Sequence, residues 1–394
     1  MKIVIKKNNA TVLNFAFILW LFSEIMFEYS TFSRIALMLF VGLVVLVTRK
    51  PRWSYALTWY GLFVLWSAIN IWTGHAIDKN VAIKATQTIF LNLIFLWALV
   101  NYCEYIGSIE TVLGIFKWVI FIICIPCFFG GLSAVLSGGR LTILNINSNA
   151  IAMMAAFAVI VFIHGCTGRR RDGKWYTEIC VIAFLILTIL MTGSRKGLII
   201  PIVGVYIMAC FRKPGKFVVN TLVIALLAFV VLYALLNVPF LYDLVGYRVE
   251  PVLQYMQNED FDEASLASRL DYIELAWKES FNSPIWGHGL DCFRMLREAY
   301  GTYSHCNYVE LLFSLGWTGA IIFYFPYLQG LLYTPYAFKR KKDHVALAVA
   351  LMVPFLICNY FAVTYNVRSY IFIPTICMLI LRRGRPNSEA EQVF

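Results

Sequence analysis

The chain has 394 residues, of which 60% are hydrophobic and 14% are charged. Soluble domains are about 45–50% apolar and about 25% charged, so this balance excludes an array of soluble domains and a disordered chain. The net charge of +11 suggests a nucleic-acid partner, but the basic residues lie in short segments between long apolar runs, which excludes a nucleic-acid-binding domain. The composition is that of a polytopic membrane protein.

Twelve apolar windows along the chain are long enough to form membrane-spanning helices. They fall at residues 11–29, 32–48, 54–72, 84–103, 110–135, 149–165, 176–192, 197–211, 217–237, 307–336, 345–364 and 367–381. Backbone exposed to lipid must satisfy its own hydrogen bonds, so each window predicts an α-helix. The predicted fold is an all-α polytopic integral membrane protein with about 12 transmembrane helices. We expect no cleavable signal peptide, because the first window is long and no small-residue cleavage site follows it.

Lys and Arg are concentrated in the connectors that lie on one side of the membrane, and this distribution predicts the orientation of the helices. Connectors rich in Lys and Arg stay on the cytoplasmic side, so we expect a multi-pass protein with both termini cytoplasmic. The same residues suit anionic lipid headgroups, which makes membrane lipid an expected partner. The clusters are Lys2, Lys6 and Lys7; Arg49, Lys50 and Arg52; Arg169 to Arg171 and Lys174; Arg212, Lys213 and Lys216; Lys339 to Lys342; and Arg382, Arg383 and Arg385.

One connector is much larger than the others and lies on the predicted outer side. It contains helical periodicity at residues 266–277, and we expect it to form an ordered helical cap. The predicted organisation is transmembrane helices 1–9 at 1–237, an extracytoplasmic loop carrying part of the active site at 238–306, transmembrane helices 10–12 at 307–382 and a cytoplasmic tail at 383–394.

Basic residues on the predicted outer side run against the orientation rule and are candidate ligand groups. The candidates chosen among them are Arg140, Arg195 and Lys196 in connectors, and Arg248 and Arg269 in the large loop. The planar guanidinium binds phosphate through two parallel charge-assisted bonds. Several arginines over one outer cavity would therefore form a pyrophosphate site. The alternative for each arginine is an interfacial anchor at a helix end.

The histidines are scattered, and none has a zinc-binding spacing, so we expect no metal and no cofactor. His305 directly precedes the tenth window, and His288 lies between two glycines in a turn. Both face the predicted outer side and are candidate site residues.

The cysteines suggest packing more than redox chemistry. Cys124 and Cys127 form a Cys-x-x-Cys pattern, but a fully apolar span surrounds them, which predicts packed thiols. Cys292 and Cys306 lie in the large loop and could form a disulfide in an oxidising compartment.

Several motifs between residues 140 and 320 resemble those of the O-antigen ligase and polysaccharide polymerase superfamily. The segment Thr192 to Gly197 (TGSRKG) resembles its Ser-Arg-x-Gly signature. Further motifs of the superfamily occur on both sides of this segment, in the order expected along the chain. Residues 140–150 resemble an Arg…Asn-x-Asn-Ala block. Downstream of Gly197, Ser268-Arg269 and Trp277 are followed by a Pro-x-x-Gly-x-Gly block at 283–289, a His-Asn block at 304–310 and a Leu-Gly-x-x-Gly block at 315–319. Cys306 separates His305 from Asn307, whereas the family usually has the two residues adjacent.

The resemblance implies a metal-independent glycosyltransferase of the bacterial cytoplasmic (inner) membrane with an external active site. Its donor would be a polyprenyl-diphosphate-linked oligosaccharide. By the resemblance, Arg195 and Arg269 bind and neutralise the diphosphate leaving group. His305 orients or deprotonates the acceptor hydroxyl, or else binds phosphate. The residues expected to bind substrate are Arg140, Lys196, Arg248, His288 and Asn307.

The resemblance leaves the acceptor open. The first expectation is polymerisation of repeat units of a capsule, exopolysaccharide or O-antigen, together with other polysaccharide-assembly proteins. The second is a ligase that transfers finished glycan to a lipid-core or wall acceptor. A lipid-linked oligosaccharide flippase is a third interpretation. Most apolar spans lack charge, however, and the unusual charges lie together on the predicted outer face of the membrane. That distribution favours surface chemistry over transport.

Overall fold

A computed structural model describes residues 2–28, 30–137, 141, 147–167, 172–257, 263–335 and 342–382. Within these residues every regular element is helical and no strand occurs, which confirms the predicted all-α class. Residue 140 and the tail at 383–394 lie outside the described residues.

The helices of ten or more residues are numbered along the chain, within the part that the structure describes. They are α1 (Lys2–Met26), α2 (Thr31–Val47), α3 (Tyr55–Trp72), α4 (Lys79–Ile106), α5 (Ile109–Leu136), α6 (Ser148–Cys166), α7 (Gly173–Met191), α8 (Arg195–Arg212), α9 (Phe217–Asn237), α10 (Tyr247–Met256), α11 (Ala264–Ser280), α12 (Asn307–Leu332), α13 (Lys342–Cys358) and α14 (Arg368–Arg382).

The predicted windows fall on α1 to α9 and α12 to α14. Among the described residues, seven helices are long and apolar enough to cross a membrane, namely α1, α4, α5, α6, α7, α9 and α12. Three shorter apolar helices are α2, α13 and α14, and α3 and α8 have 18 residues each. The chain is therefore a multi-pass membrane protein. The helix expected at 345–364 ends at Cys358, because the backbone that follows binds the side chain of Asn307.

The chain folds into two compact units. The first comprises Met1–Phe40, Ser108–Glu263 and Phe338–Pro354, and the second Val41–Gly107, Ala264–Ala337 and Phe355–Phe394.

Helix α6 forms the centre of the first unit. It is apolar on all sides and is buried without interruption from Ile151 to Phe162, as expected for a helix enclosed by others. Glycines of α8 allow close approach: a Cβ on Gly197 would lie 2.8 Å from the Cβ of Ala152. Small residues bring membrane helices together in this way.

A buried ion pair joins α5 and α7 within the first unit. The Lys117 Nζ lies 2.7 Å from the Glu178 Oε1, and both side chains are at least nine-tenths buried. The Cys166 thiol donates to Glu178 Oε2 at 3.2 Å, and Lys117 Nζ lies 4.4 Å from the Phe162 ring centroid. The charges on Lys117 and Glu178 thus compensate each other where lipid offers no solvation.

The second unit contains α3, α4, α11, α12 and α14. At one end a core cluster joins the start of α4, the end of α11, the segment 292–306 and the start of α12. Its members are Ala82, Ala276, Cys292, Phe293, Ala299, Cys306, Val309 and Phe313. This cluster supports the loop that carries His305.

Candidate functional site

In the first unit, a tight turn between α7 and α8 carries Arg195. Gly193 has a φ of +60°, a conformation that glycine adopts without strain. The Thr192 hydroxyl donates to the carbonyl of Ile189 at 2.6 Å and closes the end of α7. Ser194 precedes α8 without capping it through its side chain, and its hydroxyl oxygen is buried without a hydrogen-bond partner.

The Arg195 guanidinium is held in one orientation by two acceptors. Its Nη1 donates to the Arg248 carbonyl at 2.7 Å and to Glu263 Oε2 at 3.0 Å, while Nη2 donates to Glu263 Oε1 at 3.3 Å. The Arg195 and Glu263 side chains are about 20% and 19% exposed. This is the bidentate fork that arginine also makes with phosphate.

The other sequence candidates of the first unit lie around this turn. Lys196 follows Arg195 on α8 and is half-buried. Arg248 contributes its carbonyl to Arg195, while its Nε donates to the Tyr247 hydroxyl at 2.6 Å. The N–H of Leu141, the neighbour of Arg140, donates to the carbonyl of Met191 at 3.2 Å. Sequence reasoning missed Glu263, because no local pattern links residues 68 positions apart.

In the second unit, His305 lies in a strained turn just before α12. Its φ is +61°, which is uncommon for a residue with a side chain. The Ser304 N–H donates to the buried Glu310 Oε2 at 2.9 Å, and the Ser304 hydroxyl donates to the Cys306 carbonyl at 3.1 Å. These two bonds fix the backbone on both sides of His305. Backbone strain held in place by its surroundings is a feature of functional sites.

Two tyrosines flank the His305 ring. The centroid distances are 4.4 Å to Tyr303 and 6.2 Å to Tyr272. Tyr272 belongs to α11, and Arg269 lies three residues before it. Residues three apart share a helix face, so the half-buried Arg269 and His305 border the same region of the second unit.

Asn307 has a structural task at the start of α12. Its side-chain oxygen accepts hydrogen bonds from the N–H groups of Thr364 and Tyr365 at 2.8 and 3.1 Å, and its amide nitrogen donates to the Tyr324 hydroxyl at 2.6 Å. Asn307 is fully buried. A role for Asn307 in substrate binding stays a prediction.

The loop around His288 is joined to a break in α12. Gly316 has φ +66° and ψ −172° in the middle of that helix, so nearby backbone groups leave the helical pattern. We call this arrangement the Gly316 joint. It comprises the break and residues 284–289. The His288 and Gly289 N–H groups donate to the carbonyls of Phe313 and Ser314 at 2.9 and 2.8 Å, and the Trp317 N–H donates to the Pro284 carbonyl at 2.7 Å.

The ring of His288 is also engaged by the protein. Its Nε2 lies 3.1 Å from the Glu279 carbonyl oxygen, and the ring is 4.7 Å from that of Phe313. The geometry gives His288 a part in the joint, and its predicted role in substrate binding is not tested by these contacts.

The loop thiols are buried and free. Cys292 and Cys306 belong to the same core cluster, and neither forms a disulfide. Burial raises the pKa of both thiols. Burial also raises the pKa of Asp291, although Arg294 at 2.7 Å acts in the opposite direction.

A family model described as O-antigen ligase matches residues 180–324. Residues 180–324 are thus similar to an O-antigen ligase domain. The resemblance read from the motifs is thereby confirmed for this segment, in support of the O-antigen ligase and polymerase superfamily. A comparison with curated proteins finds no match.

The matched domain segment runs from α7 into α12 and includes both groups of candidate residues. Arg195, Lys196 and Arg248 lie in its part of the first unit, while Arg269, His288, His305 and Asn307 lie in its part of the second. Glu263 and Glu310, which hold the Arg195 side chain and the His305 turn, are inside the domain as well.

Proposed function

We propose that the protein is a glycosyltransferase that uses a polyprenyl-diphosphate-linked glycan on the outer face of the bacterial cytoplasmic membrane. The observation that carries the proposal is the orientation of Arg195 by Glu263 and the Arg248 carbonyl, inside the segment that is similar to an O-antigen ligase domain. Glycosyl transfer from a diphosphate develops negative charge on the leaving group, and preorganised positive charge stabilises it.

The start of α8 suits an anion for three reasons. Arg195 presents a planar fork that binds phosphate as it binds the Glu263 carboxylate. The helix α8 has 18 residues, and the first backbone N–H groups of a helix have no acceptor within it. A helix N-terminus therefore attracts negative charge. The buried Ser194 hydroxyl adds a donor without a partner in the protein. In this proposal Glu263 occupies the anion position and yields it to the donor diphosphate.

The turn of the second unit supplies acceptor chemistry. His305 is oriented by its backbone and flanked by Tyr272 and Tyr303, and we assign it to orient or deprotonate the acceptor hydroxyl. A positioned histidine contributes about 10²–10⁴-fold to such a step. By the resemblance to the family, Arg269 would bind diphosphate as well. Binding of phosphate by His305 is the rival assignment.

The first reaction that we propose is polymerisation of lipid-linked repeat units. A ligase reaction is the second candidate, because the matched family carries that description. Both reactions use the same donor and differ in the acceptor: a second lipid-linked glycan in the polymerase, and a lipid core or wall component in the ligase.

Reconstitution tests the reaction. Purified protein in proteoliposomes is given a lipid-linked repeat unit, alone or with a lipid-core acceptor, and products are resolved by mass spectrometry. Longer lipid-linked chains identify the polymerase, and transfer to the lipid core without elongation identifies the ligase. We expect activity to persist in EDTA, to fall by about 10²–10³-fold in Arg195→Ala, and to be kept in Arg52→Ala, whose surface arginine pairs with Glu104. Absence of glycosyl transfer with either acceptor contradicts the proposal.

Topology is tested separately in intact cells. Tyr300 is 86% exposed in the loop that we assign to the outer face. A Tyr300→Cys variant should react with a membrane-impermeant thiol reagent before the cells are permeabilised. Reaction only after permeabilisation would contradict the orientation, and with it the external site.

A further inference from the structure

An apolar surface of the second unit extends from a membrane-spanning helix onto the loop. We call it the Trp277 patch, and each of its side chains is between 40% and 59% exposed. Trp277 and Phe281 come from α11 and its end, Ile285 from the Gly316 joint, and Trp317 and Ile321 from α12. The Trp277 ring lies 5.0 Å from that of Phe281 and 6.5 Å from that of Trp317. These ring contacts join the exposed aromatic side chains of α11 to that of α12.

The patch continues a stripe of α12 that faces lipid. Trp317, Ile321, Phe325 and Leu328 are all exposed, and their spacing of three or four residues puts them on one face of the helix. Because α12 crosses the membrane, an exposed apolar face of this kind contacts acyl chains. The loop residues of the Trp277 patch extend this stripe at its Trp317 end.

The depth of the contact follows from the part of α12 that comes after its break. This part, residues 317–332, has 16 residues and is about 24 Å long, whereas the hydrocarbon core is about 30 Å thick. With Leu332 at or beyond the far boundary of the core, Trp317 at the other end of this part lies inside the hydrocarbon.

The loop is tied to α12 at this same depth. The Trp317 N–H donates to the Pro284 carbonyl at 2.7 Å, and a Cβ on Gly316 would lie 2.5 Å from the carbonyl carbon of Ile285. Irregular backbone is stable within a membrane only where its polar groups are paired inside the protein. The Gly316 joint meets this requirement, since it pairs the carbonyls of Phe313 and Ser314 as well as the Trp317 N–H.

We propose that the apolar side chains of the segment from Trp277 to Ile285 are immersed in the acyl-chain region of the leaflet in which α12 begins. The occupant of the Trp277 patch is thus lipid, and the large connector is anchored in the bilayer instead of standing wholly in water. Lys278 lies within this segment, but its side chain reaches back by one turn to pair with the exposed Glu274, so both charges remain towards the headgroups.

Immersion has a consequence for Arg269. It precedes Trp277 on α11 by two turns, or about 12 Å. With Trp277 fixed among the upper acyl chains, α11 holds Arg269 within reach of the phosphate layer. This consequence rests on the proposed function, whereas the immersion itself does not.

Fluorescence quenching in nanodiscs tests the immersion. Full-length protein and its Trp277→Phe variant are compared in lipids with brominated acyl chains, and separately with iodide in water. The difference between the two proteins isolates the emission of Trp277. We expect this emission to be quenched by brominated lipid and not by iodide. Trp20→Phe is the matched control, because Trp20 is fully buried and its removal should leave the quenching by either agent unchanged.

Charge insertion provides a second measurement that does not depend on tryptophan emission. Phe281→Asp and Ile285→Asp should lower the Tm in nanodiscs, because a carboxylate is driven into hydrocarbon. Tyr300→Asp, at an exposed position of the same connector outside the patch, should leave it unchanged. Quenching of Trp277 by iodide alone would overturn the proposal in favour of a loop in water. Protection from both quenchers would overturn it in favour of a second copy of the chain covering the patch. Neither outcome bears on glycosyl transfer.

Discussion

Gly287 and Gly316 face each other across the Gly316 joint, so closely that neither position has room for a side chain. A Cβ on Gly287 would lie 2.5 Å from the backbone nitrogen of Gly316. These glycines belong to two separate sequence motifs, the Pro-x-x-Gly-x-Gly block and the Leu-Gly-x-x-Gly block. In the structure the two motifs are the halves of one joint between the loop and a membrane helix.

Gly287→Ala and Gly316→Ala should therefore destabilise the fold. Both residues have positive φ, +76° and +66°; the strain is about 1–2 kcal/mol and overpacking adds about 1–3 kcal/mol. Gly301→Ala is the matched control: its φ is +78°, but nothing lies within 4 Å of the added Cβ. In thermal unfolding in nanodiscs, the Tm of Gly301→Ala should be well above the Tm of the two joint variants. Equal Tm values for all three would show that the close contact is unimportant.

The sequence predicts the helices well and the tertiary partners poorly. Apolar windows identify spans because lipid requires helices, and the motifs single out Arg195, Arg269 and His305. Window averages extend α13 too far, however, because they register the apolar residues after Cys358 and not the hydrogen bonds to Asn307 that end the helix. The sequence does not predict Glu263 as a site residue for a similar reason, since its contact with Arg195 arises only when the chain folds.

The loop thiols should be free and unreactive in the folded protein. Burial raises the pKa of Cys292 and Cys306, so little of the reactive thiolate is present at neutral pH. Without reductant, alkylation followed by mass spectrometry should modify these two residues only after unfolding. Modification that also requires a reductant would reveal a disulfide and contradict the free thiols of the structure.

Arg195 and Glu263 should have opposite effects on donor binding. Arg195→Ala removes the fork and should lower kcat/KM by about 10²–10³-fold, as for loss of one oriented donor to a developing anion. Arg195→Lys should also be impaired, because an ammonium group cannot make two parallel bonds. Glu263→Gln keeps an acceptor but removes the competing charge, so the Kd for the lipid-linked donor should fall.

Direct binding measurements separate two roles of Glu263. Binding of the donor to Arg195→Ala, Glu263→Gln and the surface variant Arg52→Ala is measured at the same ionic strength, because charge contacts depend on salt. Weaker binding in Glu263→Gln would mean that the carboxylate orients Arg195 without occupying the anion position. If Arg195→Ala binds the donor with wild-type affinity, Arg195 does not contribute to the donor site.

Glu310 should act on the reaction through the His305 turn. Glu310→Ala removes the acceptor of the Ser304 N–H, and a buried donor left without a partner costs about 1–3 kcal/mol. The turn should then release His305, and turnover should fall towards that of His305→Asn, a substitution that removes the imidazole but tolerates a positive φ. Glu310→Gln retains a carbonyl oxygen at this position and should keep most of the activity.

The variants of His305 and Glu310 should not be additive if one residue acts through the other. His305→Asn should reduce turnover by about 10²–10⁴-fold with little change in the donor Kd, as expected for loss of a proton acceptor. Adding Glu310→Ala to His305→Asn should then reduce turnover little further, whereas independent residues would give the product of the two effects. A large loss of donor binding in His305→Asn would assign His305 to the diphosphate. Multiplicative losses in the double variant would mean that Glu310 supports the fold of the second unit without positioning His305.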